Sequence, residues 1–196
     1  MGKELEIKLT ASMAETLDAV FRDEEVRRLT RSVKELEMES TYFDTAAGDL
    51  QQRHWVLRLR RENDTGVVTF KTPRVGLTRG EWEYDAMNLG DAGKKLTAMG
   101  APAELETLLR NGVVPLCGAS FFRKAVLLEL EDGSTAELAL DLGTVQKGRR
   151  QAPICEAELE LKSGEPGAML MLAARLAQRY GLKKETLGKF SRAMGL

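Results

Sequence analysis

Two short stretches near the ends of the 196-residue chain carry carboxylates at every second position: Glu4-Leu5-Glu6-Ile7-Lys8-Leu9 and Glu156-Ala157-Glu158-Leu159-Glu160-Leu161. In an extended strand successive side chains point to opposite faces. Glu4, Glu6 and Lys8 therefore share one face, and Leu5, Ile7 and Leu9 share the other. Glu156, Glu158 and Glu160 line up in the same way, and Arg58-Leu59-Arg60 supplies a cationic counterpart in mid-chain. Like charges on paired strands repel unless countercharge lies close. Carboxylate strands and guanidinium strands in one closed sheet would make a lined, charged cavity. Arginine and lysine hold phosphate oxygens, while carboxylates hold a divalent cation that also touches phosphate. The alternation also fits the solvated face of an open antiparallel sheet with no site at all.

The elements that must position these residues are legible in outline. Strands are expected over 3–10, 35–43, 55–62, 67–71, 80–87, within 113–130, over 135–142 and over 155–162. Asn63-Asp64-Thr65-Gly66 and Glu131-Asp132-Gly133-Ser134 are the clear hairpin turns. Ser12 with Glu15 has capping-box spacing and opens a helix bearing Met13, Leu17, Val20 and Phe21. Residues 26–34 are mostly charged and read as a connection, and Gly143 and Gly148 as the brackets of a short turn. Two helical pieces are expected over 91–111. A longer helix follows Pro166 and closes at Tyr180-Gly181, and a short one holds Thr186 to Met194. The expectation is an α+β protein: about eight antiparallel strands in a barrel or curled sheet, with helices covering its apolar outer face.

The totals exclude several classes. With 29 basic and 30 acidic residues the net charge is −1, which argues against a general nucleic-acid or membrane-surface protein. No run approaches the roughly 20 apolar residues of a membrane span, and the charged N-terminus is not a secretory signal, so the expected location is the cytoplasm. A single histidine, His54, rules out a multi-histidine zinc site and leaves no activated Ser-His pair in evidence. Cys117 and Cys155 lack CxxC spacing and read as reduced thiols. A bound metal would be held by oxygen, hence Mg²⁺, Mn²⁺ or Ca²⁺.

Beyond these deductions the chain resembles the CYTH superfamily, the triphosphate tunnel metalloenzymes. The resemblance rests on Glu4-x-Glu6-x-Lys8 and on motifs that follow in order: Arg58-Leu59-Arg60, Thr69-Phe70-Lys71, Phe122-Arg123, Leu140-Asp141, Glu156-Ala157-Glu158-Leu159-Glu160 and Gly188-Lys189-Phe190-Ser191-Arg192. Pro153-Ile154-Cys155 before the glutamates and the closing Lys189-x-x-Arg192 make it most similar to the N-terminal domain of proteobacterial inorganic triphosphatases. In that group a helical CHAD domain often follows, so one domain over 1–196 is expected, alone or as part of a longer chain.

The resemblance implies an eight-stranded antiparallel tunnel with a charged interior, and it implies roles. Lys8, Arg58, Arg60, Lys71, Arg123 and Lys189 would bind triphosphate, with Arg192 and Lys147 at the periphery and Glu81 and Glu83 as further lining. Glu4, Glu6, Asp141, Glu156 and Glu158 would hold one or two Mg²⁺ or Mn²⁺ ions. Lys8 and Glu160 would serve the chemical step, Glu160 by joining the metal ligands or by orienting a base. The implied reaction is hydrolysis of inorganic triphosphate to pyrophosphate and orthophosphate, by a monomer or homodimer with no nucleic-acid or membrane partner. Two alternatives stand beside it. One is an organic-triphosphate enzyme, a thiamine triphosphatase or class IV adenylyl cyclase. The other is a non-catalytic polyphosphate- or nucleotide-binding module.

Overall fold

The computed structural model describes residues 5–75 and 78–196; Glu4 lies outside them. One antiparallel sheet dominates. Its strands are β1 (Glu6–Thr10), β2 (Thr30–Asp44), β3 (Val56–Glu62), β4 (Thr65–Val75), β5 (Thr78–Asp85), β6 (Val114–Glu129), β7 (Thr135–Lys147), β8 (Arg150–Ser163) and the two-residue β9 (Lys183–Lys184). Their order is β5-β4-β3-β2-β6-β7-β8-β1-β9. The expected eight strands are present, and β9 adds a ninth beside β1. Among the described residues no pairing joins β5 to β9, so hydrogen bonding leaves the sheet open at those two edges.

The helices are α1 (Ala14–Phe21), α2 (Glu24–Leu29), α3 (Asp49–Gln52), α4 (Ala92–Ala98), α5 (Glu104–Arg110), α6 (Pro166–Tyr180) and α7 (Lys189–Met194). Helices α1, α2 and α6 bury Leu17, Val20, Val26, Met169, Leu172 and Leu176 against Leu9, Val126, Leu138 and Leu159 of the sheet. Helices α3, α4 and α5 bury Leu50, Leu96 and Leu105 against Leu57, Val68 and Phe70, with Trp82 and Tyr84 half-buried alongside. These leucines, valines and aromatics have the strand parity opposite to the charges. The outer face of the sheet is thus the apolar one, as the helices require.

Helix α2 stands where a connection was expected. Its apolar signal is confined to two buried residues, Val26 and Leu29, and end effects form it instead. The Asp23 carboxylate accepts the amides of Glu25 (2.9 Å) and Val26 (3.2 Å), Glu24 and Glu25 occupy the first turn, and Arg27 and Arg28 the last. The Ser12 cap is not formed; Met13 occupies the N-cap position of α1 without a side-chain hydrogen bond. Asp44, fully buried, ends β2 by accepting the amides of Thr45 (2.7 Å), Leu50 (2.8 Å) and Gln51 (3.0 Å), which fixes the turn into α3.

Gly143 is not a turn residue. Strand β7 runs through it to Lys147, and the turn lies at Gly148, where φ is 59°. A Cβ at Gly143 would lie 2.2 Å from the Ser120 carbonyl oxygen and 2.5 Å from the Phe121 Cα on the neighbouring strand. Only glycine permits that approach. Gly143→Ala is therefore expected to destabilise the protein by about 1–3 kcal/mol, lowering its melting temperature by roughly 2–10 °C. A thermal melt of the variant checks this, and an unchanged midpoint would show that β6 and β7 can separate freely.

Candidate active site

The charged face is built by register. Across β6, β7, β8 and β1, Arg123 pairs with Asp141, Asp141 with Glu156, Glu158 with Lys8, and Glu160 with both Glu137 and Glu6. Across β2, β3, β4 and β5, Tyr42 pairs with Arg58, Arg58 with Thr69, Thr69 with Glu83, and Lys71 with Glu81. All these side chains share one parity. One sheet face therefore carries a carboxylate-rich wall on β7, β8 and β1 and a cation-rich wall on β3 and β4.

On the carboxylate wall Asp141 and Glu156 are fully buried. One oxygen from each of Asp141, Glu156 and Glu158 lies within 4.8 Å of the others. Lys189, from α7, sends its Nζ among them, at 2.8 Å from Asp141 Oδ2, 2.9 Å from Glu156 Oε2 and 2.9 Å from Glu158 Oε1. Arg123 is bidentate on Asp141, with both contacts 2.7 Å, and reaches Glu158 Oε2 at 2.8 Å. Arg192 donates to Glu156 Oε1 and, at 2.6 Å, to the Pro153 carbonyl. Lys8 lies 2.9 Å from Glu6 and 3.3 Å from Glu158.

Burial alone would push the Glu158 carboxyl up; Lys189, Lys8 and Arg123 overcome it and hold it well below the usual carboxylate range. Burial alone would likewise lower Lys189, Lys8 and Arg123, and their carboxylate neighbours raise all three instead. The site thus keeps both signs of charge, each stabilised by the other.

The cation wall is less completely matched. Arg58 Nη2 donates to Thr69 Oγ1 at 3.1 Å, and Arg60 Nη2 meets Glu62 at 2.5 Å. The Nε atoms of Arg58 and Arg60 are buried with no acceptor. Burial and the adjacent Arg58 depress Arg60. Lys71 pairs with Glu81 at 2.7 Å. Two guanidiniums side by side with orphaned donors favour an anionic partner.

Helix α7 closes one end of the same face. Phe190, Ala193 and Met194 pack on Tyr42, Phe121, Val145 and Ile154, with the Tyr42 and Phe190 ring centroids 5.0 Å apart. Phe121 in turn lies beneath the Lys189 ammonium, 4.9 Å from its ring centroid.

Of the residues singled out in the sequence, Lys8, Arg123, Asp141, Glu156, Glu158, Lys189 and Arg192 come together directly, with Glu6 at their edge. Arg58, Arg60 and Lys71 gather separately on β3 and β4. Lys147 meets the end of α7 instead, donating to the Met194 carbonyl at 3.0 Å. Glu160 pairs with Lys162 at 2.7 Å and stands apart from the buried carboxylates. Strand reading passed over Glu62, Glu137 and Ser40, although parity with Arg60, Asp141 and Tyr42 marks all three. It also passed over the apolar patch under α7, which interrupts the charged face.

The donor set suits a hard divalent cation: three buried carboxylates, all oxygen. No described helix is long and apolar enough to cross a membrane.

A large antiparallel sheet with one charged face and helices on its apolar face is the mixed α+β architecture of the CYTH fold. The CYTH domain model matches residues 2–194, and the chain belongs to that family. Among solved structures it is similar to HpAC1 from Hippeastrum, a candidate adenylyl cyclase described as having a dominant triphosphatase activity (TM-score 0.64, 18% identity, 98% of this chain and 95% of that one). It is similar also to PH1819 from Pyrococcus horikoshii (TM-score 0.56, 21% identity, 97% and 99%). A third is a candidate adenylate cyclase from Vibrio parahaemolyticus (TM-score 0.57, 15% identity, 100% of both chains). At these identities the likenesses concern the fold.

Proposed function

We propose that this protein hydrolyses inorganic triphosphate to pyrophosphate and orthophosphate, with Mg²⁺ or Mn²⁺ as cofactor. The observation that carries the reading is that one sheet face holds both buried carboxylates on β7 and β8 and neighbouring arginines with unmatched donors on β3. Arg58, Arg60 and Lys71 hold the phosphate oxygens and spread their charge. Asp141, Glu156 and Glu158, with Glu4 and Glu6, are the residues to hold the metal. The metal, when bound, neutralises phosphate charge and lowers the pKa of water. Lys8, held on the acidic wall by Glu6 and Glu158, stabilises charge on the phosphoryl group in transfer. Glu160, more open than the buried carboxylates, accepts a proton from the attacking water. Water adds to the terminal phosphorus, the anhydride bond to the next phosphate breaks, and no covalent enzyme intermediate is required.

The test is product release from tripolyphosphate, pyrophosphate, ATP and thiamine triphosphate, each with Mg²⁺, Mn²⁺ or EDTA, alongside a cyclic AMP assay. Metal-dependent orthophosphate release, fastest from tripolyphosphate, is the expected result. Cyclic AMP and pyrophosphate from ATP would replace this reading with a cyclase. Tight tripolyphosphate binding without turnover would make the protein a receptor.

A further inference from the structure

All six oxygens of Asp141, Glu156 and Glu158 already face cationic donors. Lys189 takes one from each residue, Arg123 contacts both oxygens of Asp141 and the second of Glu158, and Arg192 takes the second of Glu156. Among the described residues only Lys189 touches all three carboxylates, so its ammonium sits where a shared metal ion would sit. A divalent cation binds such oxygens at about 2.1 Å, inside the space an ammonium takes at its longer contacts. The two charges would also repel strongly in so buried a place.

Lys189 is mounted on a short element, docked on the sheet through Phe190, Ala193 and Met194. Helix α7 has six residues, its N-cap Gly188 lends no side chain, and Arg192 lies on the same helix. Withdrawing α7 releases four of the cationic contacts at once and leaves Arg123 in place on its sheet strand.

We propose that Lys189 is a built-in occupant of the three-carboxylate cluster, and that a divalent cation takes those oxygens only by displacing it and shifting α7. Lys189 is then an antagonist of metal binding in the free protein, and substrate that draws its ammonium onto phosphate favours metal loading. By reciprocity, metal bound at the cluster frees Lys189 for phosphate. The inference rests on the reading of this cluster as a metal site.

The test is Mn²⁺ binding to the free full chain, followed by the electron paramagnetic resonance of unbound Mn²⁺, for wild type, Lys189→Met and Lys8→Met. Lys8→Met removes an equal charge beside Glu158 but outside the centre of the cluster. Lys189→Met is expected to tighten binding by about tenfold or more, and Lys8→Met by roughly threefold or less. In wild type, saturating Mn²⁺ is expected to speed amide exchange over 189–194. Equal affinity in wild type and Lys189→Met, or equal tightening in the two variants, overturns the proposal, as does α7 protection indifferent to Mn²⁺. If Lys189→Met fails to fold, the wild-type exchange measurement decides alone. Absence of Mn²⁺ binding in every folded chain would instead refute the metal site itself.

Discussion

Glu158→Gln is expected to abolish the proposed metal-dependent turnover of tripolyphosphate, lowering kcat by about 10³-fold, while the chain stays folded. Glu158 is the carboxylate on which the site converges: it meets Lys8, Arg123 and Lys189. Glutamine keeps its shape and one acceptor oxygen but removes the charge that a divalent cation and three side-chain cations require. Loss of one partner from a buried ionic cluster costs stability as well, about 3 kcal/mol here. Circular dichroism and a thermal melt separate that loss from the loss of catalysis. Acid adds an independent check. The unfolded chain protonates this carboxyl near the ordinary glutamate value of 4.5, whereas the folded site holds it lower. The wild-type contribution is present above that value and is lost as pH falls below it toward the folded-state pKa; Glu158→Gln lacks this part of the acid dependence. A variant that keeps full metal-dependent activity would remove Glu158 from the machinery.

Arg58→Ala is expected to weaken tripolyphosphate binding by roughly 30- to 100-fold, measured by calorimetry in EDTA so that no metal contributes. Arg58 is aimed by Thr69, and its Nε is buried without an acceptor, so its donors are poised for an anion at little ordering cost. Arg58→Lys recovers only part of the affinity, because an ammonium cannot present the guanidinium's planar fork. Unchanged affinity in the alanine variant would place the phosphate chain elsewhere.

The alternation in Glu156-Ala157-Glu158 and Arg58-Leu59-Arg60 made the charged face readable, because strand parity is a local property. The hairpins at Asn63 and Asp132 and the Pro166-to-Gly181 helix were equally local and stand where they were expected. Helix α2 escaped notice because Asp23 and the end charges form it, with Val26 and Leu29 its only buried apolar residues. Gly143 misled because a glycine required by a close strand approach has the same letter as a glycine in a turn. Cross-strand partners were not legible at all. Nothing local reveals that Lys189 would sit among Asp141, Glu156 and Glu158, or that Phe190 would meet Tyr42. Those contacts belong to chain closure across the whole domain.

The order of the sheet has a consequence for how the molecule comes apart. Strands β3, β4 and β5 with α3, α4 and α5 form one uninterrupted stretch of chain with its own buried cluster, and β2 joins it to β6. Arg58 and Arg60 ride on this stretch, while the acidic wall belongs to strands beyond it. Each part has the makings of a separate cooperative unit with its own opening free energy. A polyanion that grips the arginines while its metal grips the glutamates fastens the two units to each other. The ligand then binds the intact pair and neither unit alone, so it raises the cost of opening either one by mass action. On the proposed function, substrate would also be a structural tie, and its hydrolysis, by shortening it, would loosen the pair it had joined.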